Sequence, residues 1–176
     1  HAELGALREL AAADGIEALA AWDIGYYAEK LKTARYDYAE EDLKPYFAAP
    51  AVIDGLFKVC ARLFDITVTP RHDAATWHAD VTVYEIHDRN ETLRGVFYLD
   101  PYAREGKRGG AWMHPFQSRR VDTAGTQTPL AFLTCNFSPP VGDKPALLTH
   151  GEVTTLFHEF GHGLHHMLTQ VDEASI

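Results

Sequence analysis

Residues 155–168 read TLFHEFGHGLHHML and hold four of the chain's ten histidines. His158 and His162 stand four apart, with Glu159 directly after the first. On an α-helix, side chains four apart share a face, their Cβ atoms roughly 5–6 Å from each other. Two imidazoles so placed can converge on one metal ion at about 2.0–2.1 Å each. Glu159 lies about 100° further round the helix. It is poorly placed as a third ligand to that ion, but well placed to reach a water on it. HExxH thus supplies two ligands and a base in five residues. The chemistry it points to is peptide hydrolysis. Zinc polarises the scissile carbonyl and acidifies water, and the glutamate carries the proton to the leaving amine.

The motif alone occurs in unrelated proteins, so its setting matters. THGE (149–152) fits a capping box, with Thr149 as N-cap and Glu152 reaching back. From there Val153, Leu156, Phe157, Phe160, Leu164 and Leu168 keep a helical rhythm, predicting a helix over about 150–168. Phe160 and Gly161 are uncharged and able to pack inward. The plain alternative is a helix with a surface histidine cluster. His165, seven after His158, reads either as a neighbour of the site or as a packed or solvent-facing side chain, and His166 is equally open. His72, His78, His87, His114 and His150 lack ligand spacing and read as structural.

Upstream, AELGALRELAAAD (2–14) predicts a helix stopped by Gly15. WDIGYYAEKLKTARYDY (22–38) predicts another, with Asp23 as N-cap and Ile24, Tyr27, Leu31 and Ala34 at helical spacing. Trp22, Tyr26 and Tyr27 read as core aromatics. EEDLKPYFAAP (40–50) is a connector with at most a short helix. AVIDGLFKVCARLF (51–64) is helical again, Pro50 suiting its start, with Val52, Leu56, Val59 and Leu63 on the inward rhythm.

Strand character follows. DVTVYEIHD (80–88) and LRGVFYLD (93–100) alternate and flank a short polar gap at Asn90, which predicts a hairpin. LAFLTCNF (130–137) predicts a buried strand and GAWMHPF (110–116) a fourth. YAREGKRGGAW (102–112) lacks the order of a phosphate-cradling loop and reads as a basic turn. The fold class is α+β, mainly helical, with helices over 2–64, a small sheet over about 80–137 and the motif helix last.

A length of 176 residues fits one domain. The net charge of -9, from 25 acids against 16 bases, argues against nucleic acid as a partner. No stretch approaches the roughly 18 apolar residues of a membrane span. Cys60 and Cys135 lack CxxC spacing and read as buried free thiols in a reducing compartment. The start, HAELGALREL, is charged and helical, shows no signal peptide and lacks an initiator methionine. The chain therefore reads as processed or cut from something longer.

Several segments together resemble the thimet oligopeptidase family of zinc metallopeptidases, its bacterial oligopeptidase A branch most of all. They are WDIGYYAEKLK, LKPYF, LRGVFYLDPYAREGKRGGAWM, LAFLTCNFSPPV and LLTHGEVTTLFHEFGHGLHH, in that order. The resemblance implies a zincin-type two-lobed metallopeptidase, mainly helical, with a deep channel that admits short unstructured peptides and excludes folded proteins. It implies that His158 and His162 bind one Zn2+ and that Glu159 is catalytic. The family's third zinc ligand is a glutamate on a later helix, and the tyrosine and histidine that steady its tetrahedral intermediate also lie further on. Fourteen residues follow His162 here, and Glu173 does not stand at a ligand position of that pattern.

The chain is therefore expected to be a partial catalytic domain, cytoplasmic and inactive alone. Its expected partners are short peptide substrates and the remainder of the same polypeptide. A dipeptidyl carboxypeptidase of the same family is the nearer alternative, although GLHHML leans towards the oligopeptidase branch. A free-standing non-enzymatic domain that keeps the HExxH helix for folding or peptide binding is the other. For substrate, the expected seat is a strand edge between residues 80 and 137, first of all Leu130–Asn136.

Overall fold

The first helix, α1 (Ala2–Ala13), ends where glycine permits a left-handed turn. Gly15 has φ 84°. Its N–H donates to Ala12 O at 3.0 Å and that of Ile16 to Ala11 O at 2.9 Å, the paired bonds of a Schellman closure. The computed structural model describes residues 2–36 and 40–172. They fall into two compact units, residues 1–45 and 46–176.

The smaller unit holds α1, α2 (Ile24–Tyr36) and the one-turn α3 (Glu40–Leu43). Its core is Leu7, Ala11 and Tyr27, flanked by Leu10, Leu19 and Leu31. Of the three aromatics expected inside, only Tyr27 is buried, whereas Trp22 is 85% and Tyr26 65% exposed. Tyr26 is about 100° round the helix from Tyr27, and so turns out of a two-helix contact. Trp22 precedes the helix altogether. Asp23 caps differently from expectation. Its carboxylate accepts from Ala20 N–H at 3.0 Å, and its backbone carbonyl takes Tyr27 N–H. The last residues of the expected 22–38 helix, 37–38, lie outside the described residues.

In the larger unit a 3-10 turn ends at Tyr46 and α4 (Ala49–Phe64) follows, two residues earlier than its sequence suggests. Pro50 sits in its first turn, where no N–H is needed. Asp65, at φ 54°, closes the other end. The buried face is Ala49, Val52, Leu56 and Cys60. Val59 and Leu63, expected inward, are 45% and 69% exposed. The helix has apolar residues on more than one stripe, and the sheet covers one.

The strands are β1 (Ile66–Arg71), β2 (Thr82–Asp88), β3 (Leu93–Tyr102), β4 (Trp112–Gln117), β5 (Arg120–Asp122), β6 (Gly125–Gln127) and β7 (Leu130–Phe137). Five form a mixed sheet in the order β1-β2-β3-β7-β4, while β5 and β6 make a separate ribbon. The pair β3–β7 is parallel and the others are antiparallel. The sheet starts at residue 66 rather than 80. Pro70 masks β1 as a strand in the sequence, yet an edge strand tolerates proline. In the β2–β3 hairpin, the Asp88 carboxylate accepts from the N–H groups of Asn90 and Thr92 at 2.9 and 3.0 Å.

The pairing removes one expectation. β7 lies inside the sheet, Ala131 standing between Phe97 and Pro115 and Leu133 between Leu99 and Met113. Both its edges are occupied, so Leu130–Asn136 cannot receive a further strand. Among the described residues, the open edges of this sheet are β1 and β4.

Helices α4 and α5 (His150–Met167) share one face of this sheet with Ile86, Phe97, Leu99, Leu133 and Cys135. Phe97 is fully buried beneath Phe57 and Phe160, with ring centroids 6.1 and 5.4 Å away. Cys60 and Cys135 are buried and unpaired, as expected.

On the opposite face Trp77 stacks on Tyr98 at 5.3 Å and donates its indole N–H to Asp100 at 3.2 Å. Asp100 is 3% exposed. Arg104 forks onto its two oxygens at 2.7 and 2.8 Å, and Lys107 adds a third cationic contact at 2.8 Å. Lys107 also donates to the carbonyls of Asp100 and Tyr102. The basic turn predicted here is thus folded back onto a carboxylate. Burial pushes the Asp100 carboxyl up, but the donors of Arg104, Lys107 and Trp77 outweigh it and hold it at about 2.

A folded-state value below the ordinary one means stability that is full above about pH 4 and lost as pH falls towards 2. Asp100→Asn should flatten the acid limb of stability against pH in that window. At neutral pH it should cost roughly 3–5 kcal/mol, because Lys107 stays buried without its counter-charge. Urea unfolding at a series of pH values measures both.

Candidate metal centre

The motif helix begins as its sequence predicts. Thr149 Oγ1 accepts from Glu152 N–H at 3.1 Å, and Glu152 Oε2 accepts from Thr149 N–H at 2.8 Å. Its buried residues are Leu156, Phe160, Gly163, Leu164 and Met167. This face is set by two close approaches. A Cβ on Gly163 would stand 3.2 Å from Leu133 Cδ2. A Cβ on Gly95, in β3 below, would stand 2.6 Å from Met167 Cβ. A side chain at Gly95 would hold the helix off the sheet, whereas one at Gly163 would ask Leu133 to give by a few tenths of an ångström.

With that face down, His158 and His162 are exposed. Their Nε2 atoms are 3.1 Å apart and the rings nearly perpendicular, at 87°. Two nitrogens bound tetrahedrally to one zinc ion at about 2.0–2.1 Å would be about 3.3 Å apart. The pair therefore fits two ligands of one ion. Glu159 is half-buried between the histidine face and the sheet. Cys135 of β7 lies near it: burial first, then the Glu159 carboxylate, push the Cys135 thiol up to about 12. No group of three or more His, Cys, Asp or Glu among the described residues is arranged to hold a metal. Glu173 lies outside the described residues.

The two histidines left open part company. His166 is half-buried, and its Nε2 lies 2.9 Å from the carbonyl of Gln117, to which it donates. It ties α5 to the end of β4. His165 is exposed and lines a groove between α4 and α5. Beyond the helix, Arg119 donates to Val171 O at 3.0 Å and pairs with the Asp172 carboxylate. Motif reasoning passes over Gly95 and Gly163. A glycine inside a strand pattern signals close backbone approach, so Gly95 carried a readable sign.

His158 and His162 thus converge on one side of a capped helix, with Glu159 half-buried beside them and the helix packed on a mixed sheet. The sequence profile of peptidase family M3 matches residues 1–176, and the chain belongs to that family. It is 54% identical to oligopeptidase A of Haemophilus influenzae over 92% of this chain and 24% of that protein. Against oligopeptidase A of Escherichia coli, identity is 52% over 99% of this chain and 26% of that protein. Similarity extends to the dipeptidyl carboxypeptidase of Salmonella typhimurium, 43% identical over 82% of this chain and 21% of that protein. The chain thus spans about a quarter of the length of the curated relatives it matches. No helix among the described residues is long and apolar enough to cross a membrane.

Gly95→Ala should test the seating of α5. The new methyl must displace Met167 and with it the last turn of the helix, at a cost of about 1–3 kcal/mol. Ile86 faces Gly95 across the β2–β3 ladder and limits relaxation sideways. A urea midpoint unchanged from the parent protein would contradict the close packing.

Proposed function

We propose that this chain is the central part of the catalytic domain of a two-lobed, zincin-type zinc metalloendopeptidase that cleaves short unstructured oligopeptides. The observation that carries the reading is the His158–His162 pair, Nε2 atoms 3.1 Å apart, with Glu159 beside it on one capped helix. Membership of family M3 and 52–54% identity to bacterial oligopeptidases support the choice of chemistry. The dipeptidyl carboxypeptidase reading has the lower identity, 39–43%. Cytoplasmic location and the absence of nucleic-acid and membrane partners belong to the same proposal.

His158 and His162 supply two ligands, and a third comes from polypeptide outside these residues. Zinc held there would supply Lewis acidity to the scissile carbonyl and to an attacking water. Glu159 accepts the proton of that water and delivers it to the departing amine. Its half-buried position on α5, between the histidine face and the sheet, keeps the carboxylate oriented. The peptide lies along the open edge of β4, the strand that His166 ties to α5. Main-chain hydrogen bonds to a strand edge hold a peptide without regard to its side chains, which suits short peptides of varied sequence.

Two measurements test the reading. In the polypeptide at the full length of its relatives, Glu159→Gln should retain zinc and lose about 10²–10⁴-fold in turnover of a quenched peptide. Near-full activity would refute the assigned base. Residues 1–176 alone, given stoichiometric zinc, should show essentially no chelator-sensitive cleavage, because a catalytic zinc site normally has three protein ligands. Turnover at a full-length rate would mean that the third ligand lies within these residues.

A further inference from the structure

The outer strand β4 offers less to a peptide than its length suggests, because of where Pro115 stands. Val96 N–H donates to Pro129 O at 3.0 Å, and Val96 is the register partner of Leu130 in the parallel β3–β7 pair. In a parallel ladder the residues on either side of such a partner turn their main-chain groups to the neighbouring strand, so Pro129 and Ala131 face β3. Alternation then turns the main-chain groups of Phe132 and Thr134 to β4, where they meet His114 and Trp112. Met113 and Pro115 turn theirs outward, to the open edge. A proline at such an outward position costs the sheet no bond. It does remove a donor, and its ring stands where the hydrogen would be. Pro115 is exposed. Both ends of the edge are already in use. Gly110 O accepts from Asn136 Nδ2 at 2.6 Å, and Gln117 O from His166 Nε2 at 2.9 Å. The register shifts between Pro115 and Gln117, so Phe116 is the extra residue of a bulge, which bends the strand. Among residues 112–115, the outward groups are therefore Met113 N–H, Met113 C=O and Pro115 C=O.

We infer that Pro115 ends the substrate ladder, an inference that rests on the reading of β4 as the peptide's seat. One peptide residue exchanges both of its main-chain bonds with Met113. The residue two along needs a donor at position 115 for its carbonyl and meets the proline ring instead. The peptide leaves the edge there, and its N–H groups do not reach the Pro115 carbonyl. Prolines on edge strands blunt them against pairing with other chains. Here the same device shortens the grip on a substrate from two residues to one. A preference among substrates follows. A peptide has to be extended over few residues only, so a short peptide loses little by being short. The residue facing Pro115 gives up no main-chain bond, so a substrate proline, which has no N–H, loses none there.

The test measures binding without turnover, in the zinc-loaded Glu159→Gln polypeptide at the full length of its relatives. The probe is a fluorescently labelled octapeptide, with a series in which each amide in turn becomes an ester and so loses one N–H. Binding is read by fluorescence polarisation. Adding Pro115→Ala restores a donor and should tighten the all-amide peptide about 3–10-fold, the return on one main-chain hydrogen bond or two. With proline in place, the ester at the residue facing it should cost less than about twofold. With Pro115→Ala the same ester should cost about 3–10-fold, two residues from a position whose ester costs that much in both proteins. Pro115→Val, with its higher strand propensity, carries the same expectation, so a loosened edge in the alanine variant does not hide the result. Unchanged affinity in both variants, or a gain that every ester retains, would overturn the inference while leaving the seat on β4 in place. If no ester weakened binding in any of these proteins, the peptide would not lie on β4, and both readings would fall.

Discussion

The close contact of α5 with β3 and β7 governs the rest of the larger unit. Gly95 lies under Met167 and Gly163 over Leu133, each where a methyl group would intrude. Between them Phe160 enters the ring cluster of Phe57 and Phe97. Burying one such aromatic contributes about 1.5–3 kcal/mol. The glycines let that contact form at short range. A helix fixed along one stripe has no rotational freedom left. His158 and His162 must then face outward together, and Glu159 must lie between them and the sheet. The placement of the His158–His162 pair follows from the packing under the helix.

The sheet transmits this placement to its edge. β7 lies beneath α5 and pairs on both sides, so β4 becomes the outer strand nearest the helix. His166 joins the two through the Gln117 carbonyl, and Gln117 in turn donates its amide to Thr128 O at 2.6 Å. On the far face Asp100 gathers Trp77, Arg104 and Lys107, which folds the glycine-rich turn back on the strand it leaves. Asn136 holds the same turn through the carbonyls of Arg108 and Gly110. The segment leading into β4 is thereby anchored at both of its ends.

Much of this was legible in advance where local chemistry decides. The capping box at Thr149 and Glu152, the stop at Gly15 and the hairpin at Asn90 are short-range patterns, and each formed as read. Misreadings came where a pattern admits two faces. Val59 and Leu63 share helical rhythm with Val52 and Leu56, yet the sheet took the stripe through Cys60. Trp22 and Tyr26 look like core beside Tyr27, yet a two-helix contact has room for one ring. Ile66–Arg71 was hidden by Pro70, which is acceptable only because that strand proved to be an edge.

The sequence by itself determined the chemistry on offer: two imidazoles and a carboxylate at fixed positions on a capped helix, because i, i+4 geometry is a property of the helix alone. It also carried the identity of the family, since the matching segments run along nearly the whole chain. The tertiary structure decided what surrounds that chemistry. Strand order is a matter of long-range pairing, so which strand kept a free edge could not be read from alternation. It fell to β4 and not to Leu130–Phe137. The same holds for the two glycines beneath the motif helix. Their lack of a side chain acquires meaning only when another element comes within reach.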